Sequence, residues 1–155
     1  MRAAESLAAL GDSRGVDLLY ALARDTTLYG SDRVRAAEAL GQLGDSRAVD
    51  LFHNFARNTT YSVGVDRVAA AESLVGLGDS RGVDLLYAVA VAGDTTPYDG
   101  VRVRAADALA GLGDSREVNL LYALARDTAL SGDARVSAAE ALAGLGDARG
   151  ANFLT

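Results

Sequence analysis

The chain has 155 residues, half of them hydrophobic, and is therefore long enough to form a core of its own. Its formal net charge is −6 and all 15 basic residues are arginine, without the basic cluster that nucleic-acid binding requires. The absence of cysteine excludes disulfides and thiolate metal sites, and no apolar run approaches the length of a membrane span.

A short phrase recurs five times along the chain and divides it into repeats. The tripeptide Leu-Gly-Asp begins at Leu10, Leu43, Leu77, Leu112 and Leu145, at steps of 33, 34, 35 and 33 residues. An alanine-rich block precedes each copy, and a block containing Arg follows it. Periods of this length are typical of stacked helical repeats.

The repeats predict a regular order of paired helices, in which an A helix is followed by a B helix. A B helix over residues 1–11 comes first, repeats follow over about 12–44, 45–78, 79–113 and 114–146, and a partial A helix covers 147–155. We therefore expect one all-α domain over 1–155, a right-handed α-solenoid of antiparallel helix pairs with about ten helices.

The B helix of the first full repeat shows the periodicity clearly. Val34, Ala37, Leu40 and Leu43 recur at spacings of three, which is typical of the apolar stripe of an amphipathic helix. Asp32 stands just before this stripe and is the predicted N-cap.

The Gly-Asp pair predicts a tight turn between a B helix and the next A helix. Gly44 suits the left-handed position after a helix C-terminus, and Asp45 can accept a hydrogen bond from the first amides of an A helix over about 46–57. So short a connection makes the two helices fold back on each other.

These phrases resemble a known repeat family. The run VRAAEALGQLGDSRAV at residues 34–49 is similar to the short HEAT-like repeat first associated with phycobilin lyases, and the resemblance extends over the whole chain. It implies a HEAT-like solenoid whose B helices line the concave side. It implies less about function, because the family includes lyases, signalling proteins and scaffolds.

The face of each B helix away from the apolar stripe is the predicted binding surface. We expect an acidic row flanked by arginine, over a floor of Gly and Ala that lets a ligand approach closely. Its candidate residues are Arg35, Glu38, Gln42, Glu72, Arg104, Asp107 and Glu140. The alternative is a solvated face on which Arg35 and Glu38 simply pair.

The longer loops from A to B helices are a weaker candidate. They carry Thr-Thr pairs and the tyrosines Tyr29, Tyr61 and Tyr98, which could offer hydroxyl groups and rings to a partner. Alternatively, the threonines cap turns and each tyrosine packs over the next B helix.

A series of arginines lies near the start of each A helix, with Asp or Asn three residues later. It can be interpreted as an anion-binding row, or as a ladder of Arg and Asp that sets how repeats stack, and we favour the ladder. The arginines are Arg14, Arg47, Arg81, Arg116 and Arg149, and their companions are Asp17, Asp50, Asp84, Asn119 and Asn152.

No motif in the sequence predicts catalysis. His53 is the only histidine, and no phosphate-binding loop, serine-nucleophile elbow or zinc-helix motif occurs. We expect no catalytic residue, no metal and no cofactor, and thus a protein that is not an enzyme.

The predicted function is therefore a protein- or peptide-binding scaffold that uses the concave B-helix face, with no nucleic acid or membrane as partner. We expect a bacterial protein, because arginine without lysine is typical of GC-rich coding sequences. We expect a cytoplasmic location, because the sequence shows neither a signal-peptide core nor an apolar run of membrane-spanning length. The chain starts and stops within helices, so we expect a fragment of a longer array. Alternatives are head-to-tail self-association through residues 1–10 and 148–155, or a lyase or chaperone for a tetrapyrrole-like ligand.

Overall fold

A computed structural model of the chain describes residues 1–58, 64–91, 99–112 and 116–154. Within these ranges every regular element is an α-helix, which confirms the all-α class and the expected number of about ten helices. The odd-numbered helices are the predicted B helices and the even-numbered ones are the A helices. Their bounds are α1 (Arg2–Ala9), α2 (Ser13–Arg24), α3 (Gly30–Gln42), α4 (Arg47–Arg57), α5 (Gly64–Gly76), α6 (Arg81–Val91), α7 (Asp99–Gly111), α8 (Glu117–Arg126), α9 (Gly132–Gly144) and α10 (Ala148–Leu154).

The helices form two compact units, Met1–Gly82 and Val83–Thr155. In the first unit α1 to α5 pack in chain order, and α2 also contacts α4 while α3 contacts α5. In the second unit α7 to α10 pack in chain order, and α7 also contacts α9 while α8 contacts α10. Within each unit, therefore, A helices neighbour A helices and B helices neighbour B helices, as in a HEAT-like repeat stack.

Small residues hold the paired helices close together. Ala36 and Ala37 of α3 are fully buried and provide little bulk between neighbouring backbones, and Leu40 of the same helix is fully buried as well. In α2 the approach is closer still, because a Cβ atom on Gly15 would collide with the backbone nitrogen of Ala8. Gly82 and Gly150 occupy the same repeat position and have similarly close neighbours, whereas the buried Ala48 and Glu117 hold it in the other two A helices.

The predicted Gly-Asp turn is confirmed in four of its five copies, and the fifth, Gly113-Asp114, lies outside the described residues. Gly44 has a φ of 76°, and its amide donates to the carbonyl of Gly41 at 3.0 Å. The amide of Asp45 donates to the carbonyl of Leu40 at 3.0 Å, which completes a Schellman motif. Gly11, Gly78 and Gly146 repeat this geometry with φ values of 79°, 80° and 79°.

Two local predictions for α3 are wrong. Tyr29, not Asp32, is the N-cap, and Asp32 lies in the first turn, where a carboxylate is favoured by the helix dipole. Leu43 is the C-cap and is 43% exposed, whereas Val34, Ala37 and Leu40 are buried as expected. The helix ends at Gln42, so the side chain of Leu43 falls outside the packed seam.

We predict that Gly44→Ala destabilises the fold, because alanine in the left-handed region costs about 1 kcal/mol more than glycine. Gly76→Ala is the matched control, since Gly76 is helical and has open space around its Cβ position. The control should raise the unfolding free energy by about 0.5 kcal/mol. Denaturant unfolding followed by circular dichroism measures both, and a stabilising Gly44→Ala would contradict the turn.

Candidate functional site

The outward face of α3 presents the first group of predicted binding residues. Arg35 and Gln42 are exposed and Glu38 is half-buried, and the spacing of three and four places them on one side of the helix. Across from them on α1, Glu5 has its Oε1 4.0 Å from Nε of Arg35. This pair is long and largely solvated, so it contributes little stability.

Two depressions lie side by side on this face and share Glu38 and Gln42. The first, between α1 and α3, has a volume of about 420 Å³ and also includes Glu5, Ala9 and Arg35 in its walls. The second, between α3 and α5, has a volume of about 310 Å³. Its other residues are Gly41, Phe52, Ser73, Gly76 and Leu77. We call the two depressions together the α3 groove.

Exposed leucines border the α3 groove, and the sequence analysis missed them as surface residues. Leu43 lines the first depression and Leu77 the second, and they are 43% and 44% exposed. Both are the leucine of the Leu-Gly-Asp phrase, at the point where a B helix ends. The second unit has the same exposed leucines, Leu112 and Leu145. Their recurrence directly before the turn glycine is the sequence signal that could have identified them.

The remaining predicted binding residues lie on α5, α7 and α9. Glu72 is half-buried on α5 and is not among the residues that line the second depression. Arg104 and Asp107 on α7 and Glu140 on α9 are exposed in the second unit. The structure thus brings Arg35, Glu38 and Gln42 together with Glu5. The binding role of the whole set stays a prediction.

Only the first of the loop tyrosines can be described. Tyr29 is 81% exposed, so it does not pack over the following B helix, which was the alternative interpretation. Tyr61 and Tyr98 lie outside the described residues. In the same loop, the hydroxyl of Thr27 donates to Oδ1 of Asp25 at 2.6 Å, so this threonine does fasten a turn.

In four of the five repeats, the arginine near the start of the A helix is held by the aspartate of the preceding turn, and the fifth aspartate, Asp114, lies outside the described residues. Oδ1 of Asp45 accepts from the amide of Arg47 at 2.9 Å, and Nη2 of Arg47 lies 2.7 Å from Oδ2 of Asp45. The same pair forms in three other copies: Asp12 with Arg14, Asp79 with Arg81, and Asp147 with Arg149. Hydrogen bonds from the arginine lower the pKa of Asp79 and of Asp147 to about 2.

These arginines also connect successive A helices, which supports the ladder interpretation. The guanidinium of Arg47 lies 4.5 Å from the ring centre of Tyr20, and its Nη1 is 3.4 Å from Oδ1 of Asp17. In the second unit, Arg116 lies 4.9 Å from the ring centre of Tyr87 and 3.4 Å from Asp84. Stacking on the ring and pairing with carboxylates engage these guanidinium groups within the protein.

A second arginine series was missed by sequence reasoning. At the start of a B helix, Arg33 donates from Nε to the carbonyl of Ala23, near the end of the preceding A helix, at 3.2 Å. Arg67, Arg102 and Arg135 donate in the same way to Ala56, Ala90 and Ala125, at 2.9, 3.0 and 3.1 Å. A cation is favoured at a helix C-terminus. The recurring Arg-Val dipeptide was the available signal.

The described residues lack two features, a metal-binding cluster and a membrane-spanning helix. They contain no group of three or more His, Asp or Glu arranged to hold a metal ion. Nor is any of their helices both long and apolar enough to cross a bilayer.

The paired helices and repeated turns define a helical repeat protein of the HEAT-like class. The family model for the PBS lyase HEAT-like repeat matches residues 1–25, 32–58 and 66–91. The chain belongs to this family, as the sequence resemblance predicted. Comparison with curated proteins and with solved structures gave no match.

We predict that Asp79→Asn lowers the melting temperature at neutral pH by removing the carboxylate that Arg81 holds. The pKa of Asp79 is about 2 in the folded chain, below its ordinary value of 3.8. Its stabilising effect is therefore complete above the ordinary value and is lost as the pH falls through about 2.

Thermal melts at a series of pH values test this difference. The difference in melting temperature between wild type and Asp79→Asn should be constant above pH 4 and should disappear toward about pH 2. Asp133→Asn, which removes an exposed carboxylate from α9, is the control for net charge. A difference in melting temperature that grows on acidification would refute the stabilising role of the Asp79 carboxylate.

Proposed function

We propose that the chain is a non-catalytic repeat scaffold that binds a segment of another protein in the α3 groove. Membership of the HEAT-like repeat family supports a repeat scaffold. The observation that carries the proposal is the pair of adjoining depressions, which share Glu38 and Gln42 and extend over three B helices.

The lining suits a peptide with both apolar and basic side chains. Leu43 and Leu77 offer exposed apolar surface at the groove edge, and the almost fully buried Phe52 lies at the base of the second depression. Gly41 and Gly76 leave space for a ligand backbone, since their Cβ positions have ordinary or no contacts. Exposed apolar side chains bordered by charge are typical of interaction surfaces.

Acidic side chains favour a basic segment. Glu5 and Glu38 line the groove, and Glu72 lies on the neighbouring α5. Arg35 is the basic residue within the lining, and its contact with Glu5 is 4.0 Å long, so a ligand cation could replace it at little cost. Rim charges of this kind control selectivity and association rate more than total affinity.

The recurrence of the polar residues supports binding rather than catalysis. Glu5, Glu38 and Glu72 occupy the same repeat position, and so do the leucines of the groove edge. A catalytic centre needs a distinct group at one place, whereas a long binding surface is built from equivalent positions of successive repeats.

Selection of peptides on the immobilised chain tests this proposal. A random peptide library should yield sequences enriched in Lys or Arg and in large apolar residues. Fluorescence anisotropy then compares one selected peptide on wild type and on the variant Glu5→Gln, Glu38→Gln. We expect binding to weaken by about tenfold or more, equivalent to about 1.4 kcal/mol.

The matched control is Asp50→Asn, which removes an exposed carboxylate from α4, away from the α3 groove. It should leave the affinity unchanged. Failure to enrich any peptide, or equal binding to wild type and to the double variant, would exclude the α3 groove as the binding surface.

A further inference from the structure

A second cavity, separate from the α3 groove, lies on the A-helix side of the first unit. It has a volume of about 350 Å³, within the range of small-molecule sites. Three arginines are among its lining residues. Its charged and polar lining includes Arg24, Arg33, Arg47, Asp50 and Asn58, together with the ring of Tyr20.

A homologous cavity in the second unit contains the equivalent arginine paired with a carboxylate. That cavity is lined by Arg102 and Asp127, the counterparts of Arg33 and Asn58. Nη1 of Arg102 donates to Oδ2 of Asp127 at 2.9 Å, while its Nε holds the carbonyl of Ala90. The side chain of Arg102 is 12% exposed and that of Asp127 is 31% exposed, so the guanidinium is largely buried while the carboxylate keeps contact with water.

The first unit keeps the arginine but lacks that carboxylate. Arg33 is only 9% exposed, and its Nε holds the carbonyl of Ala23 just as Arg102 holds Ala90. Asn58 lies 25 positions after Arg33 in the sequence, whereas Asp127 lies 25 positions after Arg102. A neutral amide therefore replaces the carboxylate beside a buried guanidinium. Burial without a partner charge is costly, so such a site favours an external anion.

The following repeat contributes a second buried arginine, Arg67, which follows the buried Asp66 in the sequence. Arg67 is 8% exposed, donates from Nε to the carbonyl of Ala56, and has its pKa lowered by burial. In the second unit Asp127 interacts electrostatically with both Arg102 and Arg135, the equivalents of Arg33 and Arg67. Because Asn58 stands where the second unit has an aspartate, the first unit lacks a negative charge that would act on both Arg33 and Arg67.

Nearby carboxylates do not take over this role. Asp25 interacts electrostatically with Arg33, but its oxygen accepts from both the amide and the hydroxyl of Thr27. Asp50 also lines the cavity and limits how much negative charge it accepts. Arg47 is already bound to Asp45, which leaves Arg24 and Arg33 as the cations for a ligand.

We propose that this cavity binds a small molecule through a single oxyanion, a carboxylate or phosphate group, held by the guanidinium of Arg33. The ligand oxygens take the place that the Asp127 carboxylate takes beside Arg102. The planar guanidinium can donate two parallel hydrogen bonds to either kind of group. This site does not depend on the α3 groove, because the two share no lining residue and the site would persist if no peptide bound in the groove.

Titration of the full chain with inorganic phosphate, and separately with succinate, tests the proposal. Spectra of the arginine Nε–Hε groups are recorded at constant ionic strength, with chloride as the reference anion. We expect the signals of Arg33 and Arg67 to shift and saturate with at least one of the two anions. The preferred anion identifies the ligand group.

Two reciprocal variants separate this site from a general effect of charge. Asn58→Asp supplies the carboxylate internally and should weaken the apparent affinity by about tenfold or more, equivalent to about 1.4 kcal/mol. It should also raise the melting temperature. Asp127→Asn should create a new saturating response at Arg102 and Arg135, whereas the control Asp133→Asn should not.

The proposal is overturned if, in the wild type, the chemical shifts of Arg33 and Arg67 change linearly with the concentration of both anions and do not saturate. It is also overturned by an unchanged affinity in Asn58→Asp, or by the lack of a new response in Asp127→Asn. Because peptide binding in the α3 groove is measured on other residues, its success or failure is read independently.

Discussion

In the four described copies of the turn, a B helix ends and the next A helix begins at a glycine followed by an aspartate. Gly44 adopts a φ of 76°, and two hydrogen bonds close the end of α3 around it. Asp45 then accepts from the amide of Arg47 and pairs with its guanidinium. Since the chain reverses within so few residues, the two helices must lie side by side, and their alanine-rich faces are brought together. The packing within each unit depends on this turn.

Arginine has two separate structural roles in the repeats. Arg47 joins successive A helices through Tyr20 and Asp17, on a partly solvated surface. Arg33 is buried and joins a B helix to the end of the preceding A helix through the carbonyl of Ala23. The guanidinium of Arg47 binds several partners at once, which lysine would not do as well. The exclusive use of arginine thus has a structural rationale as well as a compositional one.

The repeats differ where binding chemistry can arise. Identical turns and seams give each unit a regular frame, and the positions facing away from the seam are free to vary. Gly41 and Gly76 open the α3 groove, and Leu43 and Leu77 give it an apolar edge. On the other side, a single change from carboxylate to amide between Asp127 and Asn58 alters the charge balance of a cavity. A regular frame with local substitutions is how repeat proteins acquire selective surfaces.

The sequence alone determined the helices, their pairing and the turn between them, because each rests on local patterns. The period of the Leu-Gly-Asp phrase, the need for glycine at a positive φ, and the capping by aspartate all act within a few residues. The same reasoning also placed Arg35, Glu38 and Gln42 on one face of α3, since helical geometry sets that relation.

Only the tertiary structure decided which side chains those helices cover. The exposure of Leu43 follows from where α3 stops, and the burial of Arg33 follows from how closely α3 approaches the end of α2. The α3 groove depends likewise on the spacing between α1, α3 and α5. Periodicity could not reveal these features, because burial and cavity shape depend on contacts between residues from different helices.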